Sequence, residues 1–130
     1  MQRLRRLGFD TSAPALLYLV HHPQLGAVKI GITGDPGRLL RFRQRGWNVD
    51  HTLLFRTGAA AWTLEQAVIA KIRRGRRLSS YLTSLQMQGV GGFTETFNAI
   101  DLPPADLRDI AEAEELQLTS NEQAGFAFRD

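Results

Sequence analysis

Apolar residues along this chain fall first into short dense runs and later into spaced, helix-like arcs. "ALLYLV" (Ala15–Val20) and "VKIGIT" (Val28–Thr33) are rich in Leu, Val and Ile, and the turn-like "HHPQLGA" separates them. That pattern predicts a β-hairpin. "DPGRLLRFRQRGW" follows, with Asp35 to cap, Pro36 suited to a first helical position and Gly46 as a stop, so a short helix is expected from Pro36 to Arg45. "DHTLLFR" (Asp50–Arg56) reads as a third strand, and Ala59–Arg74 as a second helix that closes in the basic run "KIRRGRR". Leu78–Gln88 has helical spacing, and "GVGGFTETF" is a glycine hinge leading into a short extended piece. Pro103-Pro104 opens a final amphipathic helix with Leu107, Ile110 and Ala111 on one side. The fold class expected is α+β, a small three-stranded, mainly antiparallel sheet flanked by helices, with a C-terminal helical extension. Residues 1–14 read as a flexible basic arm, 15–100 as the central unit, and 101–130 as an acidic helix and tail packed on it.

Alternation along the hairpin sorts its side chains into two faces. Val28, Ile30 and Ile32 suit a core. Burying Leu17 and Leu19 beside them puts Tyr18 on the face of Lys29, Gly31 and Thr33. That face holds a phenol, an ammonium, a hydroxyl and a glycine at which a ligand or another backbone can come close. A solvated Lys29 and a surface Tyr18 are the plainer alternative. In the first helix, at about 100° per residue, Arg38, Arg41 and Arg45 form a stripe, which suits phosphate or an ordinary solvated face. In the second helix Trp62, Leu64, Val68, Ile69 and Ile72 make an apolar arc, and Glu65 falls near its middle. A carboxylate facing a core costs several kcal/mol unless a cation, metal or hydrogen bonds offset it. A structural ion pair with a first-helix arginine is the simplest such offset.

The chain has 130 residues and 43% apolar composition, enough for one domain with a modest core. The absence of cysteine excludes disulfides and thiolate zinc sites. The longest apolar runs are far too short to cross a membrane, and no secretory pattern follows Arg3, Arg5 and Arg6, so a cytoplasmic protein without a membrane partner is expected. The net charge of +3 hides a division: residues 1–100 carry 14 Lys+Arg against 5 Asp+Glu, and residues 101–130 carry 2 against 8. A basic body suits a polyanion, although the bias to Arg is also what a GC-rich genome produces. The "KIRRGRR" run, with Arg73 and Arg74, is either a backbone contact to nucleic acid or a solvated helix end. His21 and His22 read as turn residues, with a place near substrate as the alternative. Glu95, alternating with Phe93 and Phe97, reads as an acid that fixes the glycine-rich segment against the body, with support of the site as the alternative.

At these residues the chain resembles the GIY-YIG nucleases, in particular the compact phage- and mobile-element-associated branch whose second motif is Lys-Ile-Gly. "LLY" (Leu16–Tyr18) is similar to the first tripeptide and "KIGIT" (Lys29–Thr33) to the second. "DPGRLLRF" resembles the segment whose arginine, here Arg38, contacts the scissile phosphate. "WTLEQAVIAKI" resembles the helix that carries a metal-binding glutamate, here Glu65, and "GGFTETF" a later short motif. The chain departs from the pattern at Leu16 for glycine, Lys29 for tyrosine, and Phe42 where many members have histidine. The resemblance implies a metal-dependent endonuclease acting on nucleic acid, DNA rather than RNA, with Mg²⁺ or Mn²⁺ held by Glu65. Tyr18, Lys29, Arg38 and Glu65 are then the catalytic set, with either Tyr18 or Lys29 as the base. Gly31, Thr33, Arg41, Arg45, Arg73 and Arg74 are the expected substrate contacts. A second copy or a targeting protein is a further expected partner. A nucleic-acid-binding module that keeps the scaffold without catalysis is the alternative.

Overall fold

The computed structural model describes residues 9–83, 86–87 and 95–123. Strands β1 (Ala15–His22) and β2 (Ala27–Thr33) are followed by helix α1 (Gly37–Gln44), strand β3 (Asn48–Phe55) and helix α2 (Gly58–Ala70). A π-helical turn, Lys71–Gly75, continues α2; β4 (Thr96–Asn98) and α3 (Pro104–Gln123) complete the order. The sheet is antiparallel throughout, in the order β3-β1-β2-β4. It therefore has four strands where three were expected. The extended piece after the glycine hinge adds itself to the edge of β2, pairing Thr96 with Lys29.

Local chemistry sets the element ends. The Asp35 carboxylate accepts the Gly37 N–H (2.9 Å) at the start of α1. Gly46 closes that helix at φ +94°, with Trp47 N–H donating back to the Phe42 carbonyl. Thr57 caps α2 by accepting the Ala60 N–H (3.2 Å).

The hairpin register pairs Tyr18 with Gly31 and Val20 with Lys29, so the two faces separate as alternation requires. On one face Leu17, Leu19, Val28, Ile30 and Ile32 pack against α2 and, through Leu107 and Ala111, against α3. On the other, Tyr18, Val20 and Ala27 meet Phe42, Trp47, Leu82 and Met87. Every residue of β2 is buried, because helices and loops cover the sheet on both sides.

Four expectations change. Leu78–Thr83 is irregular rather than helical, and 84–85 and 88–94 lie outside the described residues. Leu78 packs with the first core while Leu82 and Met87 belong to the second, so their spacing reflects a crossing between two cores and not a helix face. Trp62 is 37% exposed and stands outside the apolar arc of α2. Residues 9–14, expected in a flexible arm, are fastened: Phe9 is buried in the first core, and Ala13 and Thr11 carbonyls accept the Gly58 and Ala59 N–H groups. A Cβ at Gly58 would lie 2.4 Å from the Asp10 carbonyl, so glycine permits that approach. Finally, His21 and His22 close β1 rather than the turn. His21 Nδ1 bonds Asp50 (2.8 Å). His22 Nδ1 accepts the Leu25 N–H, which leaves its Nε2 to donate to the Arg45 carbonyl (2.9 Å).

Candidate active site

The site begins with a lysine in the middle of a fully buried strand. Lys29 is 1% exposed, and its ammonium donates to the Ile30 carbonyl (3.3 Å) and lies 3.7 Å from Glu95 Oε1. The same ammonium sits 5.8 Å from the centroid of the Tyr18 ring, within range of a cation–π attraction. A buried ammonium is tolerated only where carboxylates and carbonyls replace its water. β4 supplies that replacement, because pairing Thr96 with Lys29 places the preceding Glu95 beside it.

Tyr18 is buried at 1% exposure, and its ring lies over Gly31, its partner across the hairpin. A Cβ at Gly31 would fall 2.4 Å from Tyr18 Cζ. The glycine of "KIGIT" therefore makes room for the phenol, and the expectation that it admits substrate gives way to that packing. Tyr18 tilts against Phe42 at 5.3 Å, and its hydroxyl accepts a hydrogen bond from Arg38 Nε (3.4 Å). Arg38 is further held over the Phe42 ring at 5.3 Å. Phe42 thus supports both the phenol and the guanidinium.

Glu65 projects from α2 and is 8% exposed. Burial raises its carboxyl from the ordinary 4.5 to about 7; Lys29 pulls it down, Glu95 adds to the rise, and a hydrogen bond from Gln66 (3.2 Å) lowers it slightly. Burial outweighs the lysine. The cation that partly opposes this rise is a strand lysine and not a first-helix arginine, as the simplest ion pair would have it.

The remaining expected contacts divide. Thr33 is buried, and its hydroxyl both donates to the Asp35 carbonyl and accepts the Asp35 N–H, so it closes the turn into α1. The arginine stripe of α1 splits: Arg38 turns to Tyr18, Arg41 lies 3.8 Å from Asp35, and Arg45 lines a small cleft with His22 and Trp47. Arg73 and Arg74 are exposed on the π-helical turn, and Arg73 donates to Ser80 (3.4 Å). Among the described residues no group of three His, Cys, Asp or Glu side chains is gathered about a metal position.

Glu95 is the component that the sequence undervalued. Its place in "FTETF" shows an acid among apolar residues, but only the β2–β4 register brings it to Lys29. Compared with known proteins, the chain matches no family model, no curated protein and no solved structure. No helix among the described residues is long and apolar enough to cross a membrane.

Proposed function

We propose that the protein is a metal-dependent endonuclease of GIY-YIG type that hydrolyses phosphodiester bonds in nucleic acid, DNA rather than RNA. One observation carries the reading: a fully buried lysine lies beside a phenol and the Glu95 carboxylate and acts electrostatically on the buried Glu65, while an arginine addresses the same phenol. A core under no chemical demand replaces such buried charges with apolar residues at little or no loss of stability. A buried carboxyl whose ionisation is opposed by desolvation beside a specific charge partner is a candidate functional group.

Each residue has a task in this reaction. Arg38 offers a guanidinium to the phosphate oxygens, the geometry that best matches a spreading negative charge. Tyr18, held by Arg38 at its hydroxyl and by Lys29 at its ring, orients the attacking water, and the water's proton passes to whichever of the two has first given up its own, Tyr18 as phenolate or Lys29 as neutral amine. Glu95 keeps Lys29 in place as the charge nearby changes. Glu65 is the residue that would hold Mg²⁺ or Mn²⁺. Its chemistry fits: a buried carboxylate whose ionisation is opposed by desolvation gains most from a hard cation. One carboxylate suffices for such a cation when water and substrate phosphate complete its shell. When bound, the cation supplies charge neutralisation at the phosphoryl and leaving oxygens.

The test uses labelled DNA and RNA of several structures with Mg²⁺, Mn²⁺ or chelator. Cleavage should require the divalent ion and fall by about 10²-fold or more in Glu65→Gln. Tight binding with no cleavage under any condition would replace the enzyme with the binding module.

A further inference from the structure

The basic end of α2 has a construction that the catalytic set does not use. After Ala70 the helix widens into the π-helical turn Lys71–Gly75, and Arg77 then adopts φ 58°. A non-glycine residue in that left-handed region is strained, and π-turns interrupt helices at a cost, so both need a local compensation. Together they form a groove of about 610 Å³ lined by Arg73, Arg77, Leu78, Ser79 and Ser80. Its described lining carries two guanidinium groups and two hydroxyls, with Arg73 donating to Ser80 (3.4 Å). Arg76, between them in sequence, is directed elsewhere and pairs with Asp106 (3.2 Å) on α3. Of the four arginines in the run, Arg76 thus reaches α3, Arg73 and Arg77 line an open groove, and Arg74 is exposed outside it.

The groove is also tied to the catalytic residues. Ser79 and Ser80 lead directly into Tyr81 and Leu82, whose N–H groups donate to the carbonyl (3.0 Å) and hydroxyl (2.9 Å) of Thr96. Thr96 is the strand partner of Lys29. On the helix side Arg73 lies eight residues beyond Glu65, on the π-helical turn that continues the same helix.

The geometry points to this groove as a phosphate subsite: Arg73 and Arg77, with the Ser79 and Ser80 hydroxyls, grip one backbone phosphate, away from the bond that is cut. The inference rests on the proposed action on nucleic acid and adds to it a defined second anchor. Two arginines converging on one phosphate match the bidentate preference of guanidinium for phosphate oxygens. The anchor fixes which phosphate reaches Arg38 and Tyr18 without reading any base.

Binding of a fluorescent DNA strand to the full chain, measured in chelator over 50–200 mM salt, tests the subsite separately from cleavage. Arg73→Ala and Arg77→Gly should each weaken binding about tenfold, and the pair should do little more than either alone, because they share one phosphate. The slope of log affinity against log salt should fall by about one in the double variant and stay unchanged in Arg108→Ala on α3. Glycine accepts the backbone of position 77 without strain, so Arg77→Gly keeps the fold while removing the charge. Single neutral methylphosphonate substitutions, scanned along the strand, should find one position whose loss matches that of the variants and is silent in their background. An unchanged slope, or losses spread evenly over all positions, would overturn the subsite. Cleavage failure with a positive scan would overturn only the nuclease reading; normal cleavage with a flat scan would overturn only the groove.

Discussion

Glu65 carries the residue-scale energetics of this molecule. With its carboxyl raised to about 7 and an unfolded value near 4.5, the folded chain holds a proton that the unfolded chain has already released between those limits. Stability from this group is therefore complete below about pH 4.5 and is lost as pH rises through 7, by roughly 3 kcal/mol in all. Denaturant unfolding at pH 5 and pH 8, in chelator, should show that decline in the native protein and a much smaller one in Glu65→Gln. Adding Mg²⁺ at pH 8 should restore part of the loss in the native protein and none in the variant. Equal pH slopes in both proteins would show that Glu65 ionises without penalty. An acid in an apolar helical arc was visible in the sequence. Lys29 was visible as an oddity in a strand, and Tyr18 as its neighbour on the same face. That Lys29, and not an arginine of α1, is the cation acting on Glu65 depends on long-range packing that no local pattern encodes.

Elements were legible wherever one periodicity governed one core. β1, β2, α1, α2 and α3 appear where alternation, capping residues and the Pro-Pro opening placed them, and β3 begins slightly earlier, at Asn48. Legibility failed at Leu78–Thr83, where one segment serves two cores, and at the π-helical turn, which no residue pattern announces. It was partial at β4: the extended piece was read from the sequence, but it becomes a strand only because β2 offers an edge. The hairpin provides the element-scale prediction. In Gly31→Ala the new methyl collides with a Tyr18 ring that Phe42 confines from the other side. The variant should lose about 1–3 kcal/mol in denaturant unfolding, the usual range for overpacking. Cleavage should fall further than that loss of folded protein explains, because the phenol moves off Arg38. Unchanged stability would mean that the ring has space that its burial does not reveal.

At the scale of the whole molecule, two cores on opposite sides of one sheet hold the site between them. The first extends into α3 through Leu102, Leu107 and Ala111, and the contacts Arg76–Asp106 (3.2 Å) and Lys71–Glu114 (3.8 Å) pin that acidic helix to the basic end of α2. Such exposed pairs add little energy, so the apolar contact holds α3 in place. Leu107→Ala should cost about 2–5 kcal/mol and lower the melting temperature by roughly 10 °C, read by circular dichroism. A negligible shift would mean that α3 is an appendage. The charge division along the chain thus becomes a contact between α2 and α3, where the sequence showed only a basic body and an acidic end. By itself the sequence determined the alternation of faces, the caps and the residue types of the candidate site, because backbone geometry and burial preferences act over a few residues. Only the tertiary structure decided that Gly31 serves Tyr18, that Glu95 serves Lys29 and that two arginines of one run line a groove while a third fastens a helix. Those outcomes depend on which strand takes the edge of β2 and where the chain crosses between cores, and both are settled by packing among residues distant in sequence.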